Sequence, residues 1–328
     1  MGLLCKIFTN TAKEGDRMSD TALKKMVEMA RRPGSVEDTV RYLSDKMGFL
    51  RENERVLICF PNRGEGSIGA MLEQAVLQCD AIPVMWGDDL RWKTLLRLAF
   101  SCRAGTVIGP PLVILGLCKL AKANGTPLYI RNAMTAGYPC LDWMIDGIIR
   151  GLDCRTWGCF DPGDGTIVAG FSCAKSRGVH IRESEYAVEI LDGDGRPAPS
   201  GSVGDIVLSS RACPDVRWQN GQQGRLDTTP CACGCSDVRL MDIAPGRDTD
   251  PVLTALGCEL HSWTSILDCR IERGEYGLEL EVITFPGYQL PKLPSCAKLI
   301  IRPWEPERDI PFGLVPDWEI PSYCAENH

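Results

Sequence analysis

The stretch Glu54-Arg-Val-Leu-Ile-Cys-Phe-Pro-Asn62 decides the fold. Its apolar run is continuous, opens on charge and closes at Pro61-Asn62, which is too short for a helix and apolar on both faces. That pattern reads as a strand buried on both sides. Working outward, Gly64 to Gly69 reads as a flexible turn, Ala70 to Cys79 as a helix and Ala81 to Trp86 as a second strand. Asp89 to Cys102 is a helix and Gly105 to Ile108 a third strand. Leu112 to Ala123, Pro127 to Arg131 and Cys140 to Leu152 extend the series as helix, strand and helix. Alternation at crossover spacing predicts an α/β fold over residues 49–164, with a mostly parallel sheet layered by helices.

The flanks read differently. Residues 1–48 form an N-terminal helical segment, with helices over 20–48 broken at Arg32-Pro33-Gly34 and restarted after Ser35. Over 165–245, short strands at Tyr186 to Leu191, Gly204 to Ser209 and Val238 to Ile243 are separated by Gly, Asp and Pro turns, which predicts a small β-rich subdomain. Residues 246–328 hold a Gly246-Arg-Asp-Thr-Asp250 hinge and strands Ile266 to Arg273 and Leu278 to Phe285. A proline-rich tail follows, so this reads as a reduced C-terminal α+β domain.

With 328 residues, 44% hydrophobic and 24% charged, the chain is sized for two or three compact units. Its net charge is −7 and no Lys/Arg run tracks one face, which excludes nucleic acid or an anionic membrane as the main partner. Small molecules or other proteins remain. The apolar stretch Val107 to Leu117 is interrupted by Gly109, Pro110, Pro111 and Gly116, and it is too short to span a bilayer. The opening Met1 to Phe8 carries too short an apolar run for a signal peptide, so the expected location is the cytoplasm. Most of the seventeen cysteines, such as Cys59, Cys79, Cys102, Cys118 and Cys296, sit singly in apolar segments, as small hydrophobes in a reducing compartment.

One group escapes that reading. Cys173 and His180 lie close in sequence, and Pro230-Cys-Ala-Cys-Gly-Cys235 follows about fifty residues later. Four soft donors from two segments can close a tetrahedral zinc site with no open position, which makes it structural rather than catalytic. Three unrelated cysteines and a surface histidine are the alternative, with Cys235 either replacing a ligand or standing beside the set. Redox sensing by Cys231, Cys233 and Cys235 is disfavoured, because Asp227 and Asp237 are expected to raise the thiol pKa values.

These segments and their neighbours also resemble the adenylate-forming superfamily, in particular its phenylacetate–coenzyme A ligase branch. Glu54 to Phe60 with Gly66-Ser-Ile-Gly-Ala70 and Asp80-Ala-Ile-Pro-Val84 is similar to that branch's strand, glycine turn and following strand. Phe171-Ser-Cys173, Gly178-Val-His-Ile-Arg-Glu183, Val188-Glu-Ile-Leu-Asp192, Gly201 to Leu208 and Gly224 to Gly234 follow in the same order. The resemblance covers about residues 50–285 and implies that Cys173, His180, Cys231 and Cys233 hold a structural Zn²⁺. It also implies an ATP or AMP site with Mg²⁺, a small carboxylate or coenzyme A-like ligand, and leaves a homodimer or a protein partner open.

The reactive parts depart from that pattern. Where a Ser/Thr/Gly phosphate loop with a lysine is expected, the chain offers Met29-Ala-Arg-Arg-Pro-Gly-Ser-Val36. Phosphate transfer needs backbone N–H groups and a cation at that place. The adenine-side turn becomes Ala136-Gly-Tyr-Pro139, the Mg²⁺ motif becomes Trp157-Gly-Cys-Phe-Asp161, and the ribose-binding segment becomes Arg217-Trp-Gln-Asn-Gly-Gln222. No Gly-Lys pair marks a catalytic lysine, and Lys292 and Lys298 read as solvated surface residues. Only the hinge with Arg247 is kept. If catalysis survives, Asp161 and Arg247 are its candidates, with Gly137, Tyr138, Trp157, Gln222 and Arg247 lining the cofactor site. Groups that act together rarely survive such losses, so the expectation is a non-catalytic, ligand-binding or partner-binding relative. An active AMP-forming ligase for an aromatic or other small carboxylate is the alternative.

Overall fold

A computed structural model describes residues 6–9, 36–62, 67–87, 89–136, 141–160, 168–173, 176–211, 213–245, 251–287 and 289–312. After strand β1 (Lys6–Thr9) and helix α1 (Val36–Met47), the chain alternates as β2 (Arg55–Ile58), α2 (Ile68–Gln78), β3 (Ile82–Met85), α3 (Trp92–Ser101), β4 (Thr106–Gly109), α4 (Pro111–Ala123), β5 (Asn132–Thr135), α5 (Asp142–Leu152) and β6 (Arg155–Phe160). Strands β2 to β6 are all parallel, in the spatial order β3-β2-β4-β5-β6. The order turns back between β2 and β4, so the crevice outside their carboxyl ends is where such sheets accept ligands.

The continuous apolar run explains why this sheet is covered on both sides. Val56 and Ile58 of β2 point into a cluster with Val40 and Leu43 of α1, Leu72 and Val76 of α2, and Ile108, Met134 and Trp157 of the neighbouring strands. Leu57 and Cys59 point the other way, towards Leu95 of α3, Ile114 and Leu117 of α4, and Ile148 of α5. A period of two with both phases apolar is the residue-level form of a buried parallel strand.

The strand expected over 127–131 begins five residues later, at Asn132–Thr135. Pro127 has no N–H to give a ladder. Arg131 instead sends its backbone N–H to the Gly105 carbonyl and its guanidinium to the buried Glu54 carboxylate, 2.7 Å away. Glu54 also accepts from Thr106 Oγ1 and the Arg51 N–H, so this carboxylate is fully used at the amino end of the sheet.

After β6 the pairing changes to antiparallel. β7 (Gly170–Cys173), β8 (Ser176–Ile181), β12 (Arg239–Pro245), β11 (Cys213–Asp227), β10 (Gly204–Ser210) and β9 (Tyr186–Leu191) continue from β6 in that order, and β1 adds to β11. The β-rich segment is therefore an extension of the main sheet, with its own core of Ile181, Tyr186, Ile190, Ile206, Leu208 and Leu240. β6 and the fifteen-residue β11 were not expected from the sequence. Gly, Gln, Asn and Asp in Cys213–Asp227 lower strand propensity, and pairing on both sides overrides it.

The terminal unit contains α6 (Pro251–Ser262), β13 (Ile266–Gly274), β14 (Gly277–Thr284) and β15 (Lys298–Pro303), with sheet order β13-β14-β15. The expected proline-rich tail thus contains a strand, parallel to β14. This unit seats on α3 and α4. Leu267, Ile283 and Phe285 share a core with Leu95, Val113 and Leu117, so α4 is buried nearly all round, as a helix apolar on every face requires. Within α4, Gly116 leaves room for the Trp92 indole, which would lie 2.1 Å from a Cβ there. At the rim the Asp309 carbonyl accepts the Trp92 backbone N–H at 3.0 Å, while Glu307 pairs with Arg91 and Lys93 at the start of α3. Acidic side chains are favoured at that end of a helix. Among the described residues, no helix is long and apolar enough to cross a membrane.

Candidate functional site

The donor group singled out in the sequence is assembled by strand pairing. Cys173 ends β7, and His180 lies on β8, its hairpin partner, opposite Phe171. On its other side β8 pairs with β12, where His180 faces Arg239. The segment carrying Cys231 and Cys233 links β11 to β12, and its ends are fixed without any ligand. Arg239 donates to the Asp227 carboxylate at 2.7 Å and to Thr229 Oγ1 at 2.9 Å, and Asp227 accepts the Thr229 N–H at 2.9 Å. Within the turn, Gly234 has φ +87° and sends its N–H to the Cys231 carbonyl; a residue with a Cβ is strained in that conformation.

Hence Cys173, His180, Cys231 and Cys233 present one donor atom each, all within 4.8 Å of one another. The Sγ atoms of Cys173 and Cys231 are 3.6 Å apart, and Cys233 Sγ is 3.4 Å from His180 Nε2. Zn–S bonds of about 2.3 Å and Zn–N bonds of about 2.0–2.1 Å around a tetrahedron imply edges of about 3.8 Å between sulfurs and about 3.6 Å between sulfur and nitrogen. The two observed edges fit. His180 Nδ1 is 3.3 Å from the Asp237 carbonyl, which leaves Nε2 directed at the cysteines. A second-sphere acceptor of this kind sets the tautomer in which Nε2 carries the lone pair.

The Cys231 thiol is lowered to about 6, first by a hydrogen bond with the Cys233 backbone and then by the Cys233, Cys173 and His180 side chains, against the opposing effect of burial. The sequence had suggested the opposite direction from Asp227 and Asp237. Asp227 is engaged with Thr229 and Arg239, and close donors outweigh it. Cys235 follows the expectation, raised by burial first and Asp237 among the lesser causes. The Cys235 N–H points to Cys233 Sγ at 3.4 Å, so its backbone supports the donor set.

The expected nucleotide residues are not gathered in the same way. Asp161, Arg247, Gly137 and Tyr138 lie outside the described residues, as do the hinge 246–250 and all but Val36 of the stretch expected to bind phosphate. Trp157 is 7% exposed, and its ring meets Phe49 edge-on at 5.1 Å beneath α1. Gln222 is 4% exposed on β11, opposite Pro245, and β7, β8 and β12 stand between its strand and that of Trp157.

The sequence reading missed the brace around the donors. Asp227-x-Thr229 is an Asx-type turn signal, but its partner Arg239 becomes visible only once β11 and β12 are paired. It also missed a buried polar group at the seat of the terminal unit. Lys119 of α4 donates to the carbonyls of His261 and Ile266, and His261 Nε2 lies 3.4 Å from Cys269 Sγ and 3.9 Å from Asp268.

No family model and no curated protein matches the sequence. Solved structures do match. A 2-hydroxyisobutyryl-coenzyme A ligase in its postadenylation state, in complex with 2-HIB-AMP, superposes with a TM-score of 0.61 at 14% identity, covering 79% of this chain and 59% of the ligase. The same ligase with 2-HIB-AMP and coenzyme A in the thioesterification state gives 0.55 at 15% identity, covering 85% and 62%. A benzoate coenzyme A ligase from Burkholderia xenovorans gives 0.51 at 12% identity, covering 83% and 64%. The chain therefore spans about three fifths of the length of these ligases, and the likeness shows the fold.

Proposed function

We propose that this chain, which has the fold of the adenylate-forming superfamily, is a zinc-containing relative of AMP-forming carboxylate–coenzyme A ligases. In this reading it binds a small carboxylate, a coenzyme A-like molecule or a protein partner without activating a carboxylate itself. One contrast carries the proposal. The four donors stand within 4.8 Å of one another, two of their separations close to tetrahedral edge lengths, whereas Trp157 and Gln222, the nucleotide-side candidates among the described residues, are buried apart from one another.

A bound Zn²⁺ would be held by Cys173, His180, Cys231 and Cys233 and would supply cross-linking rather than chemistry, since four protein donors leave no open position. The chain's own residues do the positioning. Arg239 and Asp227 hold the two ends of the 231–235 turn, the Asp237 carbonyl orients His180, and the β7–β8 hairpin supplies Cys173. The four units 1–48, 49–164, 165–245 and 246–328 belong to this reading, as do a cytoplasmic location and a possible homodimer.

Pyrophosphate exchange with a panel of aromatic and short aliphatic carboxylates, in the presence of ATP and Mg²⁺, tests it. The expected result is no exchange above a no-protein control. Carboxylate-dependent exchange would overturn the reading in favour of the active ligase, with Asp161 at Mg²⁺, Gln222 at the ribose and Arg247 in the cleft. Elemental analysis of the purified protein tests the metal separately, with about one zinc per chain expected.

A further inference from the structure

The donor cluster brings together two thiols that are distant in the chain. Cys173 Sγ and Cys231 Sγ are 3.6 Å apart, on residues separated by 58 positions. Cys173 is half-buried and Cys231 is buried, while Cys233 is exposed. All are reduced, as are the other described cysteines. Closing 3.6 Å to the sulfur–sulfur bond length of about 2.05 Å requires a shift of about 1.5 Å shared between two side chains. Cys173 belongs to the end of a strand and Cys231 to a turn, so neither is held in the middle of a ladder. Cys231 and Cys233, by contrast, are separated by one residue in a turn already closed by the Gly234 hydrogen bond, where a disulfide ring would have to be very small.

We infer that Cys173 and Cys231 form a reversible disulfide on exposure to a hydroperoxide, exchanging the metal for a covalent link between the same two segments. The inference rests on the metal reading proposed above. In the first step one of the two thiolates attacks the peroxide: an S–O bond forms, the O–O bond breaks and hydroxide leaves (alkoxide for an organic hydroperoxide), giving a sulfenic acid. In the second, the other thiolate attacks that sulfur: the S–S bond forms, the S–O bond breaks and a second hydroxide leaves. Two thiolates are oxidised by two electrons, and one hydroperoxide is reduced. Two of the four donors are then lost, and a site left with one thiolate and one imidazole releases its metal. The β7–β8 hairpin stays joined to the 231–235 turn throughout, so oxidation changes the staple without undoing it. Reduction begins when a thiolate of an external dithiol attacks the disulfide at Cys173, the less buried of its two sulfurs: a mixed S–S bond forms, the Cys173–Cys231 bond breaks and Cys231 leaves as thiolate, after which the second thiol of the reductant displaces Cys173.

The test uses the full chain purified without oxidant. Metal content is measured first, then a few equivalents of hydrogen peroxide are added, released metal is read with a chromogenic chelator, and disulfides are mapped by fragmentation mass spectrometry of unreduced peptides. One metal released per chain together with a Cys173–Cys231 link, both reversed by dithiothreitol and added zinc, is the expected result. Cys231→Ser should abolish the link, and Cys235→Ser, which leaves the four donors intact, should preserve it. Retained metal, a link within 231–235, or oxidation to sulfinic acid would overturn the inference while leaving the metal site standing. A protein that carries no metal before oxidation and binds no added zinc would instead overturn the metal reading, and the disulfide map would still report on the thiol pair.

Discussion

Lys119 Nζ donates to the main-chain carbonyl of His261, 2.7 Å away, across the seat between α4 and the last turn of α6. A second bond, 2.9 Å, reaches the Ile266 carbonyl. Cations are favoured at a helix carboxyl end, and carbonyls deprived of a partner in a buried setting are costly. Lys119→Met, close in length but without donors, should therefore lower unfolding stability by about 2–4 kcal/mol. Urea denaturation checks this, and an unchanged midpoint would mean that the two bonds contribute nothing net.

The same seat predicts an opposed pair of pH effects. Burial, with Lys119 as a lesser cause, lowers the His261 imidazole from 6.5 to about 3. Below pH 6.5 the unfolded chain takes up a proton that the folded protein refuses until about pH 3, so this group's contribution is lost as pH falls. Asp268 acts in reverse, because burial raises its carboxyl from 3.8 to about 6. There the folded protein keeps a proton that the unfolded chain has released, and stability is lost as pH rises through that window. Between pH 7 and 5 the two largely offset. In Asp268→Asn the offset is gone, and stability should drop by about 2 kcal/mol from pH 7 to pH 5 through His261. Urea curves at both pH values read the slope, which the variant's overall loss of stability does not mask.

For the metal centre, Cys231→Ser removes one of four donors. If affinity falls a thousandfold at a metal level that saturates the original site, the stabilisation lost is about 4 kcal/mol. Chelator treatment of the unaltered protein should move its melting temperature in the same direction. Equal melting temperatures with and without chelator would remove the staple from the account.

Gly116→Ala probes the packing of α3 against α4. The added methyl would meet the Trp92 indole at 2.1 Å, and Trp92 is 1% exposed, so the ring has no solvent to move into. Overpacking of this kind costs about 1–3 kcal/mol. Thermal unfolding should show the loss, and near-ultraviolet circular dichroism the displaced indole.

The layered α/β core was legible because β2 and β4 are apolar in both phases and α4 carries its apolar residues all round. The donor set was legible for a different reason: the chain has three histidines and most of its cysteines stand singly, so Cys173 with His180 and the clustered 231–235 run stand out. What escaped reading depends on pairing. β5 could not be placed correctly because Leu128 to Ile130 is as apolar as a strand, and only the Arg131 bonds to Gly105 and Glu54 show that the ladder starts later. β11 is long because partners on both sides satisfy a sequence that would not choose extension alone. The direction of the Cys231 shift was misjudged because sequence shows which acids are near, but not that Asp227 is already occupied by Thr229 and Arg239.

α4 is buried nearly all round, with Lys122 at its last turn exposed, which bears on how the molecule can be divided. A fragment ending at Pro245 would lose Leu267, Ile283 and Phe285, each worth about 1.5–3 kcal/mol of burial, and would expose the outer surface of an apolar helix together with the Trp92 contact. Such a surface recruits other molecules in place of its missing cover. The body and the terminal unit consequently share one apolar surface, and cutting the chain at residue 245 would leave the body's half of it without its cover.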